Sequence, residues 1–313
     1  MPVIPRMQVF EVGDAPWFPP FLRGYFQAAL TAAWTTHVPG LQRSAPSTIV
    51  ARLLQTHLPS PVSNYTFIDL CAGGGGPTPA IEQYLNTTPP QSTSQAAKAK
   101  FILTDLHPHT LLWEQAVASS QRRRDERTLD YVPHPVDAAD VDKEFVERMR
   151  EGGRRKVFRI FNLAFHHFDD RLARGILKGC VEGARVGEGF GIFELQDRTL
   201  TGFLACCTFG IATMLLAPYF ALILWGEPLA LVFTYAMPVL PAVLVFDGWM
   251  SCLRTRTPDE VEALLRTCGA EGGQEEIARR WEIRNGSETF MWPVGKVNWV
   301  IGFKKGETQG NGR

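Results

Sequence analysis

The clearest pattern along the chain is a short apolar run, Phe67-Ile68-Asp69-Leu70, that ends beside an acid and opens through Cys71-Ala72 into four glycines, Gly73 to Gly76. A buried strand breaking into a loop reads this way. Glycine turns at positive φ and lets backbone amides approach a ligand, and the helix expected from about Thr78 offers unpaired N–H groups. Beyond it, short apolar runs alternate with longer helical stretches, as in a parallel sheet with crossover helices. Phe101 to Thr104 predicts a second strand ending at Asp105, Tyr131 to Val136 a third ending at Asp137, Val157 to Leu163 a fourth and Gly189 to Leu195 a fifth. Asn86 to Ser94 reads as a loop, and Asp170 to Val186 has the apolar spacing of an amphipathic helix. Thr257-Pro258-Asp259-Glu260 opens another helix that stops at Gly269, and Trp281 to Arg284 and Val297 to Lys304 give two last strands. The aromatic-rich segment before Phe67 predicts helices that cap the sheet, and Gly306 to Arg313 a disordered tail.

One stretch departs from this alternation. Between Arg198 and Arg254 the only charges are Glu227 and Asp247, leaving 28 uncharged residues from Thr199 to Gly226 and 19 from Pro228 to Phe246. A bilayer core of about 30 Å needs about 20 apolar helical residues, so each half has membrane-scale length around a turn at Trp225-Gly226-Glu227-Pro228. Arg198 on one flank and Arg254 and Arg256 on the other would hold both ends on the cytoplasmic side. Pro218, Pro238 and Pro241 argue against two clean spans. Three forms stay open: a spanning hairpin, a hairpin entering one leaflet, or a lid over an apolar substrate cavity. The chain then divides into a helical cap (1–66), a cofactor-binding core (67–197), the hydrophobic helical insertion (198–256), the rest of the core (257–305) and the tail (306–313).

Composition narrows the partners. Lysine plus arginine equals aspartate plus glutamate at 32 each in 313 residues, which removes the basic excess expected of a nucleic-acid binder. The six cysteines form no C-x-x-C pair, so a reduced compartment and no metal cluster are expected. No apolar segment follows a basic start at the N-terminus, and an intracellular, membrane-associated protein with its catalytic domain on the cytosolic side is the expectation.

The loop itself weakens two phosphate readings. Gly73 and Gly75 fit the first positions of G-x-G-x-x-G but the third falls on Thr78, and Pro77-Thr78-Pro79 lacks the lysine of a P-loop. Asp69 would repel a pyrophosphate and suits a ligand carrying positive charge.

Together these segments resemble the class I S-adenosylmethionine-dependent methyltransferases, from about Phe67 to Phe303 with the insertion set aside. Asp69 to Gly76 looks like the family's first motif, Leu103-Thr104-Asp105-Leu106 like the end of its second strand, Val136-Asp137-Ala138 like its third motif, and Phe161 to Asp169, with paired histidines, like its fourth. The resemblance implies an α/β, Rossmann-like doubly wound fold, a mostly parallel seven-stranded sheet with an antiparallel last strand, here carrying an apolar helical hairpin. It implies S-adenosyl-L-methionine as cofactor, with Gly73 and Gly75 against its methionine part and Asp69 near its amino group. Asp105 would take the ribose hydroxyls, Leu106 the adenine face, Asp137 with Ala138 the adenine amino group, and the Asn162 backbone would line the passage to the methyl.

If the acceptor is a hydroxyl, a base near neutral pKa helps, and His166, His167 and Glu194 are the candidates. The insertion starts after the fifth strand, at the sheet edge where open α/β sheets bind ligands. A lipophilic small molecule or a lipid at a membrane is the expected acceptor, and the oligomeric state is left open. The alternative is a membrane-anchored protein of this fold that is inactive or does not methylate.

Overall fold

The computed structural model describes residues 2, 4–87, 98–123 and 126–306. Helices α1 (Pro20–Thr35) and α2 (Pro46–His57) precede β1 (Tyr65–Asp69), α3 (Thr78–Thr87), β2 (Lys100–Leu103), α4 (Thr110–Arg123), β3 (Leu129–Tyr131), α5 (Lys143–Met149) and β4 (Lys156–Asn162). Then come α6 (Asp170–Glu182), β5 (Gly189–Glu194), α7 (Leu200–Tyr219), the single turn α8 (Leu229–Leu231), α9 (Val239–Arg254), α10 (Pro258–Arg266), α11 (Gly273–Arg280), β6 (Trp281–Met291) and β7 (Gly295–Lys304).

Seven strands form one sheet in the order β3-β2-β1-β4-β5-β7-β6. Neighbours among β1 to β5 are parallel, and β7 runs antiparallel between β5 and β6. The expected fold class is therefore the observed one. Chain order reverses between β1 and β4, so the crevice beyond their carboxyl ends is where such a sheet binds a ligand.

Successive side chains of a strand point to opposite faces, and the buried strands feed two cores accordingly. Phe67, Phe101, Phe158 and Trp299 pack with α2 and α3 on one face, while Ile68, Phe161 and Phe190 pack with α6 and α10 on the other. Helix α6 begins where Asp169 accepts from Leu172 N, and buries Ala173, Ile176, Leu177 and Cys180. Helix α10 starts with a reciprocal capping box between Thr257 and Glu260.

Three expectations need correction. The third strand ends at Tyr131 rather than Val136, because Pro133 and Pro135 have no N–H for a ladder, and Asp137 lies in the loop beyond. Strand β6 runs on to Met291, well past Arg284: as an edge strand it is mostly half-buried, with Asn285, Ser287 and Glu288 exposed, and this polar middle hides it from an apolar-run reading. Of the loop expected at Asn86 to Ser94, Asn86 and Thr87 belong to α3 and 88–94 lie outside the described residues, as do 307–313 of the expected tail.

The apolar insertion has two unequal arms. Leu200–Leu224 is one continuous helical stretch of 25 residues with a mean hydropathy of 1.9, long and apolar enough to cross a membrane, and most of it is exposed or half-buried. The return arm is bent by 71° between Leu229–Ala236 and Val239–Arg254, at Met237 and Pro238. Leu215 and Ile223 are 75% and 71% exposed, in line with many neighbours. Helix α1 and the residues just before it lean on this insertion: Phe18 and Leu22 pack with Leu240, and Phe21 meets Phe233.

Candidate active site

The glycine loop leaves β1 with Gly73, Gly75 and Gly76 at φ of 49°, 106° and 48°, a backbone that a side chain would strain. A Cβ on Gly73 would meet nothing within 4 Å, so the loop is open there. Two ties fix it. Trp113 Nε1 of α4 donates to Gly73 O at 2.9 Å, and Gly73 N donates to Asp105 Oδ2 at 2.9 Å.

Asp69, expected beside the cofactor's amino group, is instead enclosed behind the loop at 1% exposure. Thr78 Oγ1 donates to it, as do Asn162 Nδ2 and Cys71 N, each at 3.4 Å. Burial pushes its pKa up to about 7, opposed by those hydrogen bonds and aided by the nearby Asp105 charge. Asn162 Nδ2 also donates to Thr78 Oγ1 at 3.1 Å, while the buried Asn162 Oδ1 has no partner.

Asp105 is half-buried at the end of β2 and takes His107 N at 2.8 Å on its other oxygen. Leu106 beside it is exposed. Val136 N donates to Asp105 O at 2.9 Å, which brings Asp137 and Ala138 to the same edge although no strand carries them there. Asp137 is exposed and takes Ala139 N at 2.8 Å. Burial, then the charges of Asp105, Asp69 and Asp137, push the Cys71 thiol well up, so all three predicted acids act on one residue of the loop.

The predicted catalytic residues also meet. After β4 the chain turns through Leu163 at φ 54°, a conformation costing a β-carbon residue of order 1–3 kcal/mol, and enters a short turn, Phe165–His167. His166 is 2% exposed; its Nδ1 lies 2.9 Å from Glu194 Oε2 and its N donates to Glu194 Oε1 at 3.2 Å. Its Nε2 faces Glu11 Oε1 at 3.9 Å. His167 stands with its ring centroid 4.2 Å from that of His166 and its Nδ1 3.0 Å from Asp14 Oδ2. Burial opposes charge on His167, but the Asp14 hydrogen bond and the Glu11 and Asp14 charges outweigh it and raise its pKa.

Glu11 and Asp14 carry no sequence signal, since they join the histidines from some 150 residues away and lie in no motif. Arg254 completes the group, with Nη1 3.1 Å from Glu11 Oε1 and 3.3 Å from both Asp14 Oδ2 and His167 Nδ1. Glu11, His166 and His167 bring one ligand-type atom each within 4.8 Å of one another, a donor set that could hold a metal and that the sequence did not suggest. The Arg254 guanidinium already supplies positive charge there.

No protein-family model matches the chain, and no curated protein matches it in sequence. Among solved structures, a candidate O-methyltransferase from Nostoc punctiforme PCC 73102 aligns with a TM-score of 0.49 at 12% identity, over 96% of this chain and 64% of its own. LepI in complex with S-adenosylmethionine aligns at 0.44 and 15%, over 91% and 53%. Human N-acetylserotonin methyltransferase in complex with S-adenosylmethionine aligns at 0.44 and 14%, over 91% and 56%. The chain thus spans 53–64% of the length of these proteins. Identities this low leave function to the site's own chemistry.

Proposed function

We propose that the protein is an S-adenosylmethionine-dependent methyltransferase acting on a hydroxyl of a lipophilic small molecule or lipid. The observation that carries the reading is the set of acids Asp69, Asp105 and Asp137 around an open glycine loop at the sheet's reversal point. The residues suit such a cofactor. Neither Asp105 nor Asp137 has a cationic partner among the described residues, Asn162 Oδ1 has an unused acceptor, and Gly73 leaves open space.

Each carboxylate oxygen can accept twice, so Asp105 keeps acceptor capacity for the ribose hydroxyls while holding Gly73. Leu106 offers an apolar face for the adenine, and Asp137 with Ala138 an acceptor and a wall at its edge. Asp69 supports the loop from behind through Thr78. Bound S-adenosylmethionine supplies an activated methyl on a sulfonium, and alignment with the acceptor can contribute about 7–11 kcal/mol.

Glu194 holds His166 Nδ1, which leaves the Nε2 lone pair to take the acceptor's proton and the carboxylate to steady the resulting charge. His167, half-exposed and paired with Asp14, is the weaker base candidate. The exposed apolar arm Leu200–Leu224, rooted next to Glu194, favours an acceptor met at a bilayer, with the core on the cytosolic side.

Titration calorimetry with S-adenosylmethionine and its demethylated product tests the cofactor: no uptake by folded protein would remove the reading. Methyl-labelled cofactor with membranes and a lipid extract then tests the acceptor, and label found only on polar acceptors would overturn that part. Fractionation with and without residues 199–251 tests the membrane, where full-length protein soluble without detergent would count against it. One observation favours the non-methylating alternative, namely Glu11 standing over His166 Nε2, and product mass separates the two.

A further inference from the structure

The acceptor side of His166 is covered by the protein's own N-terminal segment, and the hydrogen bonds of that segment run mainly to the apolar insertion. Met7 N donates to Leu253 O at 3.0 Å, Arg254 Nε to Val9 O at 2.6 Å and Arg6 Nε to Arg254 O at 2.9 Å. Ser251 Oγ donates to Glu11 Oε1 at 2.9 Å. Asp247, a carboxylate only 3% exposed after an apolar run from Val239 to Phe246, takes both Val12 N and Gly13 N at 2.7 Å. A desolvated charge is costly unless its oxygens are paired, and these two amides pair it. The approach is close at Gly13, where a Cβ would stand 3.0 Å from Asp247 Oδ2 and the carboxylate would have to give by a few tenths of an ångström.

Toward the core the same segment offers side chains. Arg6 reaches Asp170 and Phe168 O at 3.1 Å each, Gln8 Nε2 reaches His167 O at 3.1 Å, Asp14 takes His167 and Glu11 lies over His166. Its backbone is thus fastened to α9, while its contacts with the histidine turn are polar side-chain contacts that water or an incoming hydroxyl can replace.

We propose that residues 6–14 form a strap that moves with α9, and that an acceptor reaches His166 Nε2 only when strap and insertion swing away together, carrying Glu11 with them. Glu11 is then a positioning residue that keeps the base covered until a ligand enters from the apolar side. The inference takes the base from the function proposed above, and its test needs no turnover.

Diethyl pyrocarbonate modifies accessible imidazole nitrogen, and peptide mass spectrometry reads each histidine separately. In the full chain in detergent, His166 is expected to react slowly beside the exposed His134, which serves as internal reference. Asp247→Asn replaces one acceptor oxygen by a donor that opposes a strap amide. Loss of a charge-assisted bond worth about 1.5–3 kcal/mol should raise the His166 rate roughly tenfold or more relative to His134. Gly13→Ala, a milder lesion of the same contact, should raise it in the same direction. Glu11→Gln keeps the backbone ties and should leave the rate within about twofold. A His166 rate equal to that of His134 in the unaltered protein, or one unmoved by both Asp247→Asn and Gly13→Ala, overturns the proposal. Because no methyl donor is present, the strap can pass this test in a protein that binds no cofactor, and fail it in an active methyltransferase.

Discussion

The two edges of the sheet are both rich in acids and treat them in opposite ways. At the amino ends of the strands, Arg150 holds Glu188 through two bonds of 2.9 and 2.6 Å, with both side chains under 10% exposed. Glu188 also takes Val157 N and Arg185 N, so every oxygen is used. Lys100 and Arg155 share Glu151 nearby. At the carboxyl ends, Asp69 is buried without a cation, and Asp105 and Asp137 take only backbone amides among the described residues. The lower edge is electrostatically closed, whereas at the upper one Arg254 serves Glu11 and Asp14 and the three acids by the glycine loop have no cation among the described residues. A fold keeps such a deficit where a ligand will make it good.

That contrast can be broken from either side. The largest effect is expected at the upper edge: His166→Ala should cut acceptor turnover by about 10²–10⁴-fold with cofactor affinity retained, read by single-turnover kinetics beside calorimetry. Unchanged turnover would remove the histidine from the chemistry. At the lower edge, Glu188→Ala leaves the buried Arg150 with Glu147 as its remaining anionic partner and strips the Val157 and Arg185 amides of their acceptor. It should cost about 3–5 kcal/mol in urea unfolding while the dissociation constant for S-adenosylmethionine stays put.

Asp69 gives a pH test. Its folded pKa of about 7 lies above the ordinary 3.8, so between these values the native state binds more protons than the unfolded one. Its contribution therefore favours folding at low pH and is lost as pH rises from about 4 to about 7. Asp69→Asn should flatten that part of the stability curve and gain up to about 4 kcal/mol above pH 7, read from melts across the range. A steeper curve in the variant would mean the carboxylate is charged and paired. The smallest effect is expected at Asp105→Asn, which should weaken cofactor binding by about 1.5–3 kcal/mol with little change in melting temperature.

How much of this was legible follows from the range of the interactions. Strands β1, β2, β4, β5 and β7 are apolar runs whose burial their own composition announces. The acids at or beyond strands β1 to β3 could be read because position along the chain fixes position along the sheet edge. Strand β3 was misjudged because Val132 and Val136 suggest a strand while Pro133 and Pro135 forbid one. Asp69 was misdirected because a carboxylate at a strand end can turn inward, and only the distant Asn162 and the Thr78 hydroxyl decide that it does. Helix α11 and the polar half of β6 escaped because neither carries an apolar stripe of full length. Glu11 and Asp14 could not be found by pattern at all, since their partners come from the other side of the sequence.

The brevity of β3 has one more consequence. With only three residues in the ladder, the loop bearing Asp137 is tied to β2 beyond the strand by single amides, Val132 N on Leu103 O and Val136 N on Asp105 O. The Asp137 end of the crevice, where the proposed function puts an adenine, can therefore widen by one or two such bonds without disturbing the sheet. Deuterium uptake at the Val136 amide becomes a built-in gauge of occupancy, fast in the empty protein and slowed when a nucleoside stiffens that margin.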